Sequence, residues 1–278
     1  MDESLLAELQ QATNALQMTP SDFIKLAVER ALQQREIIAE ERQHAEAYSE
    51  PPTAAGRNRG MGERTVLGGA MKGANPPTPS QFKKGYLAFQ RREKRDSMYK
   101  TATFLIDHFW GKPAEMADSL GVLLLTWNQA FYRYGVFDFG KLEDCLSRNL
   151  NVLDKYRKSN IFNYGTCDDK AIENLFREFL YALRIREGKK KGTGSPVAVA
   201  KALHLLASDF FPLWDYEIAR AYGCRYSRNP EAKYLLFVRK SKEMAENLKS
   251  SVDTKVVGKT LLKLIDEYNY ARYTQRWI

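Results

Sequence analysis

From Gln81 to the end of the chain, apolar residues recur at three- and four-residue spacing, and no stretch of useful length alternates apolar with polar residues. That period commits the chain to helices, so the fold class expected is all-α. QFKKGYLAFQRREKRDSMYKTATFLIDHFW (81–110), KLEDCLSRNLNVLDKYR (141–157), KAIENLFREFLYALRI (170–185), KYLLFVRKSKEMAENLKS (233–250) and GKTLLKLIDEYNYARYTQ (258–275) read as helices with one apolar face. GVLLLTWNQAFYRY (121–134) is apolar on most sides and is expected to be a buried central helix.

With 278 residues, 44% of them hydrophobic, the chain can build one substantial core plus an appendage. Residues 47–79 are rich in Pro, Gly and Ala, with arginines at 57, 59 and 64. That is the composition of a flexible linker. It divides the chain into an N-terminal helical hairpin (1–46), the linker, and a helical domain (80–278). The hairpin pairs ESLLAELQQATNAL with a second helix opened by Thr19-Pro20-Ser21, whose stripe is Phe23, Leu26, Ala27 and Ala31.

A formal charge of +9 favours a polyanionic partner, most simply double-stranded DNA. No run of eighteen apolar residues appears, so no membrane partner is expected. The acidic start MDESLLAELQQ lacks the pattern of a secretory signal, and a cytoplasmic location is expected, on the nucleoid in a prokaryote. Cys145, Cys167 and Cys224 are too far apart for a zinc or iron–sulfur motif and read as reduced, buried residues. No metal or cofactor is called for.

The segment from Gly192 to Gly223 breaks the amphipathic pattern. A basic run, Lys189-Lys190-Lys191, leads into Gly192-Thr193-Gly194 and then into Ser195-Pro196, where a helix should start with proline in its first turn. The preceding helix is expected to run up to that turn. A glycine-bounded turn of this kind offers backbone N–H groups to a phosphate, so Gly192, Gly194, Ser195, Lys190 and Lys191 are candidate phosphate contacts. Arg220 is a further one. The next helix carries Lys201, His204 and Ser208 on one side, read as a solvent-facing strip or the edge of a cleft. Then comes Phe210-Phe211-Pro212-Leu213-Trp214-Asp215, with the acid at the mouth of a new helix.

Gly192-Thr-Gly-Ser-Pro196-Val-Ala198 resembles the hairpin of the helix-hairpin-helix DNA glycosylase superfamily, Gly-hydrophobic-Gly-x-Lys-x-Ala. Nineteen residues beyond Pro196, Asp215 lies in a segment similar to that superfamily's Pro-hydrophobic-Asp-x-x-hydrophobic-x-Arg-x-x-x-Gly. LLLTWNQ (123–129) resembles the helix bearing its Ile-Leu-x-Gln-Gln motif, and the likeness spans roughly 110–230. It implies excision of a damaged or modified base from DNA, in repair or in defence against modified phage DNA, with Asp215 as the catalytic carboxylate. The resemblance departs at Pro196, where bifunctional members carry a lysine nucleophile. A monofunctional enzyme that leaves an abasic site is therefore expected, with Lys201 as the rival nucleophile. The hairpin at 1–46 resembles the two helices of ribbon-helix-helix proteins without the strand that precedes them, which implies self-association or docking.

The chemistry suits a lone acid. Breaking an N-glycosidic bond passes through an oxocarbenium-like state that an ionised carboxylate stabilises while orienting water. The target base must first be flipped out and stacked. Trp127, Asn128, Gln129, Tyr132 and Trp214 are candidate pocket residues; each has a core-packing alternative, and Trp127 and Trp214 serve equally well as core. Asp138 and Asp209 are reserve acids. A non-catalytic DNA-binding protein on the same scaffold is the alternative.

Overall fold

Residues 73–278 are described by the computed structural model, and among them every regular element is helical and none is a strand. The proposed hairpin at 1–46 and the arginines at 57, 59 and 64 lie outside the described residues. The helices are α1 (Pro79–Arg92), α2 (Ser97–His108), α3 (Pro113–Trp127), the single turn α4 (Gln129–Tyr132), α5 (Phe139–Arg157), α6 (Asp169–Ala182), α7 (Pro196–Leu206), α8 (Tyr216–Ala221), α9 (Pro230–Leu248), α10 (Thr254–Val257) and α11 (Leu261–Asn269). A π-helical turn, Tyr270–Thr274, continues α11, and two 3-10 turns precede α6. Among these residues no helix is long and apolar enough to cross a membrane.

Helix boundaries follow local chemistry. Thr78 caps α1 through a reciprocal bond with Gln81, with Pro79 in the first turn. The 81–110 segment is two helices rather than one, because Asp96 adopts a left-handed conformation (φ 44°) between them. The 121–134 segment likewise breaks at Asn128, between α3 and α4. Packing begins before residue 80: the Ala74 N–H donates to the Ala221 carbonyl at 2.8 Å, and Pro77 is buried, so the end of the linker is pinned to α8.

The core forms around α7, which packs against α2, α3 and α6. Its residues Ala198, Val199, Ala200, Ala202, Leu203 and Leu206 are completely enclosed. In α6, Ile172, Leu175, Phe176 and Phe179 bury the apolar face that the helical period foretells. Below α7, Trp214 is surrounded by the rings of Tyr226, Tyr234, Phe237 and Phe176, with centroids 4.9 to 6.3 Å away. At the other end α11 lies on α1, where Gly85 admits the Tyr268 ring so closely that a Cβ would stand 2.4 Å from it.

Candidate functional site

Ser195 caps α7 by accepting the Ala198 N–H at 3.2 Å, and Pro196 fills the next position. The Ser195 hydroxyl also accepts from the Asn128 amide at 3.2 Å. Asn128 ends α3, and its oxygen in turn accepts from the Lys201 amine at 3.5 Å. The same amine donates to the Trp127 carbonyl at 2.7 Å and stands 5.1 Å above the Trp127 ring. Four residues singled out in sequence, Trp127, Asn128, Ser195 and Lys201, thus meet where α3 ends and α7 begins.

Asp215 caps α8: one carboxyl oxygen accepts the Ile218 N–H at 2.8 Å and the other accepts the Thr274 hydroxyl from the π turn. Burial raises its pKa to about 6, against the Ile218 and Thr274 hydrogen bonds. Asp266 pushes it further up, and the Lys201 cation pulls it down. Asp266 is itself raised by burial, with Lys263 and Lys201 acting against the rise. One lysine from α7 and two carboxyls from α8 and α11 therefore share one electrostatic environment.

Behind them runs a line of buried charge. Lys259 contacts Asp96 at 2.7 Å and pairs with Glu267. Lys263, only 2% exposed, lies 3.3 Å from Asp266 and 3.8 Å from Glu267, with the Phe89 and Tyr99 rings 4.7 and 4.8 Å away. Four acids (Asp96, Asp215, Asp266, Glu267) and three lysines (Lys201, Lys259, Lys263) make up this region.

His204 corrects the reading of a solvent-facing strip. It is completely buried: Nδ1 faces the Phe211 carbonyl at 2.7 Å and Nε2 faces the Tyr99 hydroxyl at 3.1 Å. A carbonyl only accepts, so Nδ1 carries the proton and Nε2 accepts from Tyr99. Burial drives its pKa down to about 3, which makes it a neutral structural bridge between α2 and α7.

Other candidate residues lie elsewhere. Trp214 is 1% exposed and its indole N–H donates to the Pro196 carbonyl at 3.2 Å, so it is a core residue. Tyr132 is also enclosed, its hydroxyl donating to the Leu183 carbonyl at 3.0 Å. Gln129 is exposed. Asn128, though buried, answers Ser195 and Lys201, which accounts for an amide at the end of an apolar helix without a ligand. Of the reserve acids, Asp138 caps α5 and Asp209 accepts the Ile161 N–H through its carbonyl. Arg220 is exposed and ion-paired with the buried Glu217. Cys145 and Cys224 are buried as expected, whereas Cys167 is exposed.

The turn before α7 also differs from expectation. Helix α6 stops at Ala182, and residues 183–194 form a long loop instead of a short hairpin. Gly192 (φ 82°) supplies a left-handed turn, but its N–H donates to the Ile185 carbonyl and that of Thr193 to the Lys190 carbonyl. Those two donors are engaged inside the loop and are not presented to a phosphate. Gly194 is needed for packing, since a Cβ there would stand 2.8 Å from the Leu180 side chain. Lys191 is exposed on this loop, and Lys190 is half-buried with its amine 4.9 Å from the Tyr134 ring.

Thr274, Asp266 and Tyr99 had no sequence signal. Thr274 is 59 positions from Asp215, and its hydroxyl reaches the carboxyl only through the π turn after α11. Compared with protein families, with curated proteins and with solved structures, the chain matches none of them.

Proposed function

We propose that the chain is a DNA N-glycosylase that hydrolytically excises a damaged or modified base and leaves an abasic site. The observation that carries this reading is Asp215. It is a helix-capping carboxyl raised to about 6 and still mostly ionised at neutral pH, and the charge of Lys201 favours its ionised form. The resemblance of the segment around it to the helix-hairpin-helix glycosylases supplies the reaction class.

In this reading the C1′–N bond breaks with its electron pair leaving on the base, and Asp215 stabilises the cationic sugar. Water adds its hydroxyl to C1′, and its remaining proton is lost to solvent or to the base. Lys201 donates to the Trp127 carbonyl and Asn128 and tunes Asp215. We assign it to positioning and the attack to water. Trp127, half-buried beside Lys201, is the stacking surface that remains for a flipped base.

The test is a panel of duplexes, each with one modified base, incubated with the protein and scored for abasic sites by alkaline cleavage. One substrate should be cut by the wild type and left intact by Asp215→Asn. Borohydride should trap no protein–DNA adduct. An adduct that disappears in Lys201→Ala would make the enzyme a lyase. The enclosure of Tyr132 and Trp214 favours a second reading, a DNA-binding protein without excision. Salt-dependent duplex binding with no abasic sites across the panel would select it.

A further inference from the structure

Two exposed tyrosines, Tyr134 after α4 and Tyr181 near the end of α6, each carry two cations against the ring. The Arg133 guanidinium lies 4.5 Å and the Lys190 amine 4.9 Å from the Tyr134 centroid. Lys141 and Arg184 stand 5.5 and 5.4 Å from that of Tyr181. The two residues remain 44% and 56% exposed. The strands of chain that carry them are joined: the Arg186 N–H donates to the Val136 carbonyl at 2.8 Å, and a Cβ on Gly188 would stand 3.0 Å from the Tyr134 carbonyl oxygen. The two tyrosines and their four cations therefore belong to one surface, built from 133–141 and 181–191.

Both acids within those stretches are engaged. Glu187 pairs with Arg186 at 2.7 Å, and Asp138 caps α5. What remains is positive charge set around two tyrosines that keep about half their surface in water. Phosphates alone would answer the cations. The exposed rings are answered by bases whose faces are open, which a duplex keeps stacked inside and a single strand presents. Excision also requires a locally unpaired strand, since the base leaves the stack before it is cut.

We infer that the surface bearing Tyr134 and Tyr181 binds single-stranded DNA, the bases stacking on the two rings and the phosphates running along Arg133, Lys141, Arg184 and Lys190. The choice of DNA over RNA rests on the excision reading; the choice of a single strand rests on the rings and cations.

The full-length protein is titrated into fluorescein-labelled oligo-dT and into a labelled hairpin duplex of similar charge, read by fluorescence anisotropy. A Tyr134→Ala, Tyr181→Ala double variant should lose at least about tenfold in affinity for oligo-dT. Its affinity for the duplex should change less than about twofold. The double Phe variant should bind oligo-dT like the wild type, because the ring and not the hydroxyl stacks. Both residues are exposed, so the variants should melt with the wild type, and melting curves verify this.

The inference is overturned if the wild type does not bind oligo-dT, or if the Ala variant weakens duplex binding equally. It is overturned too if oligo-U binds and oligo-dT does not, or if polyglutamate competes as well as unlabelled oligo-dT. Asp215→Asn should bind oligo-dT unchanged. Binding without excision would sink the proposed activity and leave this surface standing, and excision without oligo-dT binding would do the reverse.

Discussion

Asp215 does two jobs that conflict in energy. As a cap it satisfies the Ile218 N–H, and as an ion it is held where burial disfavours its charge. Its folded pKa, about 6 against an ordinary 3.8, means that the folded state holds this proton more tightly than the unfolded state. Stability from this group is therefore lost as pH rises from about 4 through 6. The full difference would amount to about 3 kcal/mol, and partial solvent access reduces it to about 1–2 kcal/mol. Asp215→Asn keeps a capping oxygen and removes the charge, so it should melt at or above the wild-type temperature at pH 8. At pH 4 that advantage should vanish. Thermal melts at the two pH values decide it, and a variant less stable at pH 8 would contradict the desolvation argument.

Thr274 belongs to the same scale. Its hydroxyl donates to the carboxylate and so favours the charged form. Thr274→Val should move the Asp215 titration to higher pH, while Thr274→Ser should keep it near the wild-type value. Lys201 on α7, Asp266 on α11 and Tyr270 in the π turn are the other titratable neighbours and are unchanged in both variants. Carboxyl-carbon chemical shifts followed against pH give the midpoint directly. The acid limb of any excision activity should move to the same shifted pH.

Between elements, α11 is joined to the α1–α2 corner by charge as well as by packing. Lys259 is 13% exposed and reaches both Asp96 and the fully buried Glu267. Removing it takes the cation from Asp96 and leaves the buried Glu267 with Lys263, 3.8 Å away, as its remaining cation; breaking a buried pair typically costs up to about 3–5 kcal/mol, more than the pair itself contributes. Lys259→Met should therefore lower stability by about that much in urea unfolding at pH 7. Combining it with Glu267→Gln should recover a large part of the loss. A double variant as unstable as the sum of the singles would show that the two residues do not interact. At the other end of the core, α7 is fixed by a proline start, a serine cap and the Asn128 amide, so its first turn and Lys201 are positioned by residues from two segments.

At the scale of the whole molecule, a charge of +9 makes any duplex binding depend on released counterions. The logarithm of the affinity should fall linearly with the logarithm of salt concentration. Lys191 is exposed on the loop before α7, and the half-buried Lys190 keeps its amine near the surface beside Tyr134. If each meets a phosphate, Lys190→Ala with Lys191→Ala should make that slope shallower by about 2, equally for all duplex sequences. A slope unchanged within error would remove the loop from the DNA-contacting surface.

The helical class was legible in the sequence because a 3.6-residue period is a local property, repeated in every segment from Gln81 onward. The helix starts at Ser195-Pro196 and Asp215 were legible for the same reason: a capping side chain acts on backbone within three residues. The breaks at Asp96 and Asn128 and the early end of α6 were not, since long-range partners outweigh weak propensity there. Asp96 answers Lys259, Asn128 answers Ser195, and the stretch after Ala182 turns to bond Val136 and Thr193. The fates of the aromatic candidates depended on the same thing. Composition marks Trp127 and Trp214 alike, but only packing puts Trp214 among four rings and leaves Trp127 partly open beside Lys201. What the sequence alone determined was the set of local periods and caps. Which charges face one another, and so how far Asp215 is shifted, was decided by the tertiary structure, because Lys201, Asp266 and Thr274 meet it only through folded contacts.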